Sequence, residues 1–360
     1  MNPNERASQR FFSALAQHCP LASVTHLYLT HQEITSTLFL LGTLAEAGFS
    51  GALVAARASL AQAGMAVLPQ GATVLSDHPS NREPADHILM ELNQGREAAR
   101  VAIEAALQAI SATGRVWIFG SKEAGILSIG KRFSHSKTAF YKGHLRLISL
   151  TRESRYVEKP GKKTARTNLA YDPEGFLTFP CEGLTIASRP GLFSWQEPDP
   201  ASLLLLSAMA QKGLDPGPLV LDWGCGTGLL SAVLAKRWPD TRFILSDDQI
   251  NAVHCAQHTM DLNQLSHRCQ IIAEDGIGTT LAQNRYTTIL SNPPFHRGVR
   301  NDHSAVHSFI KQGVDLLEKG GSFWLVGNRF LDHTSALSQV LKQVETIKQT
   351  SQYTVIRGWK

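Results

Sequence analysis

Cysteine is scarce in this chain. The five residues, Cys19, Cys181, Cys225, Cys255 and Cys269, are odd in number and show no C-x-x-C spacing. This excludes a disulfide framework or a thiolate zinc site and points to a reducing compartment, the cytoplasm. Neither Cys225 nor Cys255 has an activating base beside it in the sequence, so both read as buried small residues. No run approaches the roughly 18 apolar residues of a membrane span. The polar start Met1-Asn2-Pro3-Asn4-Glu5-Arg6 is followed by no signal-peptide core. No membrane partner is therefore expected. A Gly-Lys-Ser/Thr phosphate loop is absent as well. His296, His303 and His307 lack the carboxylate or cysteine that would complete a ligand set, so no metal is expected.

What is present is ordinary for a globular chain: 43% hydrophobic and 18% charged residues in a length of 360. That length suits two domains at roughly 100 to 200 residues each, and the expected division is 1–166 and 167–360. The net charge of +5 is uneven. Between Lys131 and Arg166 eleven Lys and Arg stand against Glu153 and Glu158, a local +9, so the rest of the chain carries −4. Such a block suits a polyanionic partner, because Lys and Arg release counterions from phosphates, although it also reads as a solvated linker. Lys131, Arg132, Lys142, Arg152, Arg155, Lys159, Lys162, Lys163 and Arg166 are the candidate RNA contacts.

Strand and helix patterns alternate through both halves. A leading helix over 1–20 precedes strands at 24–29, 52–56, 72–75, 87–92 and 116–119, with helices over 33–47 and 96–110. In the second half Asp199 is placed to cap a helix over 203–210. Strands at 219–222, 242–246, 270–273, 286–290 and 322–326 follow, with helices over 228–236, 250–262 and 304–317. This alternation predicts α/β architecture with mostly parallel sheets. Lys142 to Arg166 and Phe176 to Pro198 read as the connection, and Tyr353 as packing.

Gly114-Arg-Val-Trp-Ile-Phe-Gly120 and Gly321-Ser-Phe-Trp-Leu-Val-Gly327 are closely alike. We infer two tandem Rossmann-like domains from an internal duplication, the N-terminal one degenerate. Where the second copy has Asp222-Trp-Gly-Cys-Gly-Thr-Gly228, the first has Thr30-His-Gln-Glu33. Where the second has Ser291-Asn-Pro-Pro-Phe295, the first has Leu92-Asn-Gln-Gly95, which equates Asn93 with Asn292. The first half is then expected to fold alike and not catalyse, serving as scaffold or RNA-recognition surface.

The glycines of Asp222-x-Gly224-x-Gly226-x-Gly228 let a backbone approach a ligand in a strand-to-helix turn, a signal that dinucleotide enzymes share. Asp247, ending the next strand, can accept ribose hydroxyls, and Asp275 the amino group of an adenine. Asn292 and the backbone carbonyl of Pro293 can accept both N–H groups of a planar amine, turning its lone pair toward an incoming carbon. Phe295 offers a face for a base, a contact worth about 1 to 3 kcal/mol. Taken alone, Asn-Pro-Pro also reads as a strand end. A dinucleotide has no use for it, and the four features together fit an S-adenosylmethionine-dependent methyltransferase.

Asp222 to Gly228, Asp247, Asp275 and Asn292-Pro-Pro-Phe-His296 resemble class I methyltransferases. With Arg189-Pro-Gly-Leu-Phe-Ser194 and the degenerate first copy, the whole chain resembles bacterial ribosomal RNA guanine-N2 methyltransferases of the RsmC and RlmG type. The first 130 residues match in layout only, and Trp223 and Arg297 depart from the pattern. The resemblance implies that Asp222 to Gly228 hold the methionine end of the cofactor, Asp247 the ribose and Asp275 the adenine. It implies that Asn292, Pro293 and Phe295 receive a guanine amine. The expected partner is ribosomal RNA or a ribosomal subunit, the expected state a monomer, and the expected substrate 16S RNA. A 23S RNA substrate, adenine-N6 or release-factor glutamine-N5 methylation, and a non-catalytic assembly factor are the alternatives.

Overall fold

The computed structural model describes residues 3–15, 17–30, 34–68, 73–76, 84–158, 175–213, 215–293, 303–330 and 333–360. The chain divides into two compact units, Met1–Leu169 and Ala170–Lys360. The first unit contains α1 (Pro3–Leu15), β1 (Val24–Leu29), α2 (Ile34–Glu46), β2 (Ala52–Ala55), α3 (Ala58–Met65), β3 (Thr73–Leu75) and β4 (Ala85–Glu91). It continues with α4 (Arg96–Ala109), β5 (Ile110–Ser121), α5 (Ile126–Gly130), β6 (Lys137–Lys142) and β7 (Leu145–Thr151). Its seven strands form one sheet in the order β3-β2-β1-β4-β5-β7-β6. The five strands from β3 to β5 run parallel, and β7 and β6 are added antiparallel.

The second unit opens with a hairpin of β8 (Leu177–Cys181) and β9 (Leu184–Ser188), followed by α6 (Pro200–Gln211). The hairpin turns on Glu182 and Gly183 at φ +52° and +70°, the sign required of a two-residue turn. Next come β10 (Leu219–Trp223), α7 (Leu229–Arg237), β11 (Arg242–Asp247), α8 (Ile250–Leu262), β12 (Cys269–Ala273), α9 (Thr279–Ala282) and β13 (Tyr286–Ser291). The unit ends with α10 (His303–Leu316), β14 (Leu317–Asn328), α11 (His333–Ser338), β15 (Gln343–Gln349) and β16 (Tyr353–Trp359). The second sheet reads β12-β11-β10-β13-β14-β16-β15, the same topology as the first.

Successive strand residues face opposite sides of a sheet. Accordingly Val220, Leu245, Leu290, Trp324 and Val355 enter one core cluster, while Leu221, Ile244, Ile289, Phe323 and Ile356 enter the other. The first sheet divides in the same way: Leu27, Leu53, Leu89 and Trp117 on one side, Tyr28, Val54, Ile88 and Val116 on the other. Burial on both faces is why these strands read as continuous apolar runs.

Strand register refines the comparison between copies. Trp117 and Trp324 occupy equivalent places; Trp117 pairs with Leu89, which pairs with Leu27, and Trp324 pairs with Leu290, which pairs with Asp222. Leu27 thus stands where the second copy has Asp222. Two residues further along the flanking strands, Ala55 stands for Asp247 and Glu91 for Asn292. Asn93 is therefore not the counterpart of Asn292; sequence matching placed the equivalence two residues late, because the Asn identity outweighed a register that only the sheet defines. The first part of the basic block is likewise no linker, since Lys137–Lys142 and Leu145–Thr151 are strands of the first sheet. Tyr353 packs against the core, as expected.

Candidate active site at the carboxyl edge of the second sheet

The carboxyl ends of β10 and β13, neighbours on either side of the point where strand order reverses, define a crevice of the kind in which open α/β sheets bind ligands. After β10, Gly224, Gly226 and Gly228 adopt φ of +79°, +55° and +75°, all left-handed. A Cβ on Gly224 or Gly226 would meet nothing within 4 Å, so the loop leaves open space above these residues. At Gly228 a Cβ would press on Met260 Cε at 3.1 Å and Ala256 at 3.2 Å, so glycine there lets the loop sit against α8. The N–H groups of Gly224 and Cys225 both donate to the Ser246 carbonyl, at 2.8 and 3.0 Å, fastening the loop to β11.

Asp222 is 0% exposed. Its Oδ2 accepts from Ser231 Oγ of α7 at 2.7 Å, while its Oδ1 has no partner. Burial pushes its carboxyl up to about 6, opposed by the Ser231 bonds and reinforced by the charge of Asp247. Ser246 Oγ, close by, is also buried without a partner. Asp247 ends β11 and accepts the Gly226 N–H at 3.0 Å and the Gln249 N–H at 2.9 Å, so one carboxylate shapes both the glycine loop and the start of α8. Asp275 is exposed, two residues past β12. Its neighbour Glu274 donates its N–H to the Asp247 carbonyl at 3.1 Å. The buried Glu274 carboxylate accepts from the N–H groups of Thr280 and Leu281, fixing the turn into α9.

On the other side of β10, Ser291 Oγ donates to the Trp223 carbonyl at 2.7 Å and ties the end of β13 to the glycine loop. The Trp223 ring is buried against Phe309 of α10, centroids 3.8 Å apart and 13° from parallel, which accounts for the large residue inside the motif. Asn292 follows. Its amide nitrogen donates to Asp199 Oδ2 at 2.7 Å and to Ser202 Oγ at 3.0 Å. Both N–H groups are thereby used, and the carbonyl Oδ1 is the end left to accept from another molecule. Asp199 is itself buried and caps α6, accepting the Ser202 N–H at 2.8 Å. Pro293 is buried. Phe295, with Pro294, His296 and Arg297, lies outside the described residues.

The structure thus brings Asp222, Gly224, Gly226, Gly228, Asp247, Asp275, Asn292 and Pro293 to one edge of one sheet. The expected RNA contacts Lys131, Arg132, Lys142, Arg152 and Arg155 belong to the first unit; Lys159, Lys162, Lys163 and Arg166 lie outside the described residues. Asp199 was legible as a helix cap, but its hold on Asn292, like that of Ser202, was not. The segment Arg189–Ser194 also gains a setting: the Pro190 carbonyl accepts from Asn251 Nδ2 of α8 at 3.2 Å. Among the described residues no helix is long and apolar enough to cross a membrane. No group of three or more His, Cys, Asp or Glu among them could hold a metal ion.

Residues 183–357 match the methyltransferase small domain family. A ribosomal RNA small subunit methyltransferase C from Pseudomonas entomophila is 31% identical over 278 residues, covering 76% of this chain and 79% of the relative. The chain belongs to that family. The enzyme of the same name from Alteromonas mediterranea is 29% identical over 280 residues, covering 75% of this chain and 72% of its own. Among solved structures, a T. thermophilus 16S rRNA N2 methyltransferase (RsmC), in complex with AdoMet and guanosine, aligns with a TM-score of 0.75 at 22% identity. It covers 100% of this chain and 92% of that one, and shows the shared fold across both units. As a family member the chain is a methyltransferase, and the crevice between β10 and β13 is where its fold offers a site.

Proposed function

We infer that the protein methylates the exocyclic N2 amine of a guanine in 16S ribosomal RNA, in the cytoplasm, with S-adenosylmethionine as methyl donor. The observation that carries this reading is the orientation of Asn292. A freely rotating amide would present N–H donors as readily as its carbonyl. Bonding of both N–H groups to Asp199 and Ser202 commits Oδ1 to the acceptor role that an amino substrate requires.

S-adenosylmethionine, when bound, supplies an electrophilic methyl carbon. The residues present fit it. The open space over Gly224 and Gly226 admits a ligand close to the backbone, and the unpartnered Asp222 Oδ1 adds a buried acceptor to that loop. Asp247 stands beside it for the ribose hydroxyls and Asp275 for the adenine. Asn292 Oδ1 and the Pro293 carbonyl accept the two amine N–H groups, so the nitrogen lone pair is turned out of conjugation with the base. Phe295 stacks on the base. With the donor bound, the amine nitrogen would form its bond to the methyl carbon as that carbon's bond to the sulfonium sulfur breaks, leaving S-adenosylhomocysteine, and the methylated nitrogen would then lose one proton to water. The first unit, with Lys131, Arg132, Lys142, Arg152, Arg155, Lys159, Lys162, Lys163 and Arg166, supplies the RNA-holding surface. The adenine-N6 and glutamine-N5 alternatives rest on Asn-Pro-Pro followed by an aromatic residue alone.

The test is transfer of labelled methyl groups to 16S RNA and to small subunits lacking the modification, followed by nucleoside analysis. N2-methylguanosine that disappears with Asn292→Ala is expected. Label in N6-methyladenosine, or in no RNA at all, would overturn the assignment.

A further inference from the structure

β14 lies beside β13, the strand that delivers Asn292. Leu325 is the partner of Ser291 in the parallel register, so Val326 stands beside Asn292, and Asn328, the last residue of β14, stands two residues beyond. Alternation puts the two asparagines on one face. Leu290, Trp324 and Val326 enter the core cluster on the side of α6, and Asn292 and Asn328 follow Leu290 and Val326 by two residues. Tyr353, the cross-strand partner of Asn328, packs on that same cluster. With strands about 4.8 Å apart and a rise of about 3.3 Å per residue, the two Cα atoms are roughly 8 Å apart at the carboxyl edge.

The two amides are held opposite ways round. Asn292 uses its N–H groups on Asp199 and Ser202 and presents Oδ1. Asn328 Oδ1 accepts the backbone N–H of Phe330 at 3.0 Å, and because a backbone N–H can only donate, this bond fixes which end of the amide is oxygen. The Nδ2 of Asn328 has no partner among the described residues. Asn328 is half-buried and Phe330 is 86% exposed, so a ligand can reach that nitrogen.

The first sheet separates this arrangement from an ordinary turn at a strand end. Trp117 and Trp324 occupy matching places, so Ser121, four residues on and the last of β5, is the counterpart of Asn328. Its hydroxyl oxygen accepts the Ala124 N–H at 3.0 Å. Serine thus closes that turn with a single oxygen. Asparagine at the same place closes it with an oxygen and adds two N–H donors beside the strand that carries Asn292.

An acceptor and a donor on one face match one purine edge. Guanine carries the N2 amine and the O6 acceptor on the same side of its ring, whereas adenine has no amine at C2 and presents the N6 amine, a donor, in place of O6. We propose that Asn328 is a specificity-determining residue for guanine, its Nδ2 donating to O6 while Asn292 accepts from the N2 amine. This deepens the function inferred above and rests on it, since the base selected is the methyl acceptor.

The test is calorimetric titration of the full chain, with S-adenosylhomocysteine present, by guanosine, 2-aminopurine riboside and 2,6-diaminopurine riboside. All three keep the N2 amine; the second lacks any group at C6 and the third has an amine there. Wild type should bind guanosine about 3- to 10-fold more tightly than 2-aminopurine riboside, the factor of one neutral hydrogen bond. Asn328→Ala should erase that preference by weakening guanosine alone. Asn328→Asp keeps an acceptor for the Phe330 N–H and replaces the NH2 group with oxygen, so the preference should pass to 2,6-diaminopurine riboside. A residue that only closed the turn would leave the order of the three nucleosides unchanged in every variant. Wild type that binds guanosine no more tightly than 2-aminopurine riboside, or Asn328→Asp that still prefers guanosine, would overturn the proposal. Methyl transfer to 16S RNA by the wild type, measured alongside, separates the two readings. Transfer with an order of nucleosides indifferent to Asn328 removes this role alone, and an order that Asn328→Asp reverses, without transfer, removes the catalytic assignment alone.

Discussion

The two sheets share strand order and differ at their carboxyl edges. In the second, the turn after β10 is held open by glycines of left-handed backbone, and Asp222, Asp247 and Asn292 surround it. In the first, register places Leu27, Ala55 and Glu91 at those three positions. Glu91 accepts the Thr30 N–H at 2.9 Å, and Arg57 Nε donates to the Thr30 carbonyl at 3.2 Å. In the second copy the space over Gly224 and Gly226 is open, whereas in the first Glu91 and Arg57 bond the backbone of Thr30 at the matching strand end. A duplicated fold can therefore keep its core, with Trp117 and Trp324 at matching places, and still confine chemistry to one copy.

The sharpest way to break this comparison is Asn292→Ala. We expect turnover to fall by about 10²- to 10³-fold, the usual effect of removing an oriented transition-state hydrogen bond, with cofactor affinity unchanged. Single-turnover kinetics and calorimetry would separate the two effects. Glu91→Ala at the matching place should leave turnover within about twofold of wild type and lower stability by about 1 to 2 kcal/mol.

Asp222 gives a pH signature of comparable size. Its carboxyl sits at about 6 in the fold against an ordinary 3.8, so between those values the folded chain binds a proton that the unfolded chain does not. Stability should therefore fall as pH rises from about 4 to about 6 and level off above, a contribution of roughly 3 kcal/mol. Melting curves over that window should lose this component in Asp222→Asn. A wild-type contribution of the opposite slope would contradict the burial argument.

Asp199→Ala should cost about 10- to 100-fold in kcat with little change in KM, since Asn292 would keep its oxygen and lose its aim. Asp199→Asn, which retains an acceptor for the amide, should recover much of the loss. The smallest effect compares two glycines. Gly226 and Gly95 both have positive φ and open space at the Cβ position. Alanine at either should cost about 1 to 3 kcal/mol of strain by thermal melting, but only Gly226→Ala should weaken cofactor binding.

Much of this was legible in the sequence because the parallel strands are buried on both faces and read as apolar runs, while the glycine loop and Asn-Pro-Pro are local in the chain. The antiparallel strands were not, since Lys137–Lys142 and Gln343–Gln349 contain no fully buried residue, each breaks the two-residue alternation at a register shift, and both mix charge with apolar residues. Nor could the partners of Asn292 be read: Asp199 and Ser202 lie 93 and 90 residues away, and a residue that already caps a helix shows no sign of a second bond. The offset of two residues between Asn93 and the true counterpart Glu91 has the same origin, because register is a property of pairing between strands.

The most direct test of the account is the stoichiometry of S-adenosylmethionine binding by calorimetry on the full chain. One site per chain is predicted, weakened by Asp247→Ala and indifferent to Glu91→Ala. Two sites, or one that survives Asp247→Ala and is lost with Glu91→Ala, would contradict the claim that only the second sheet holds the cofactor.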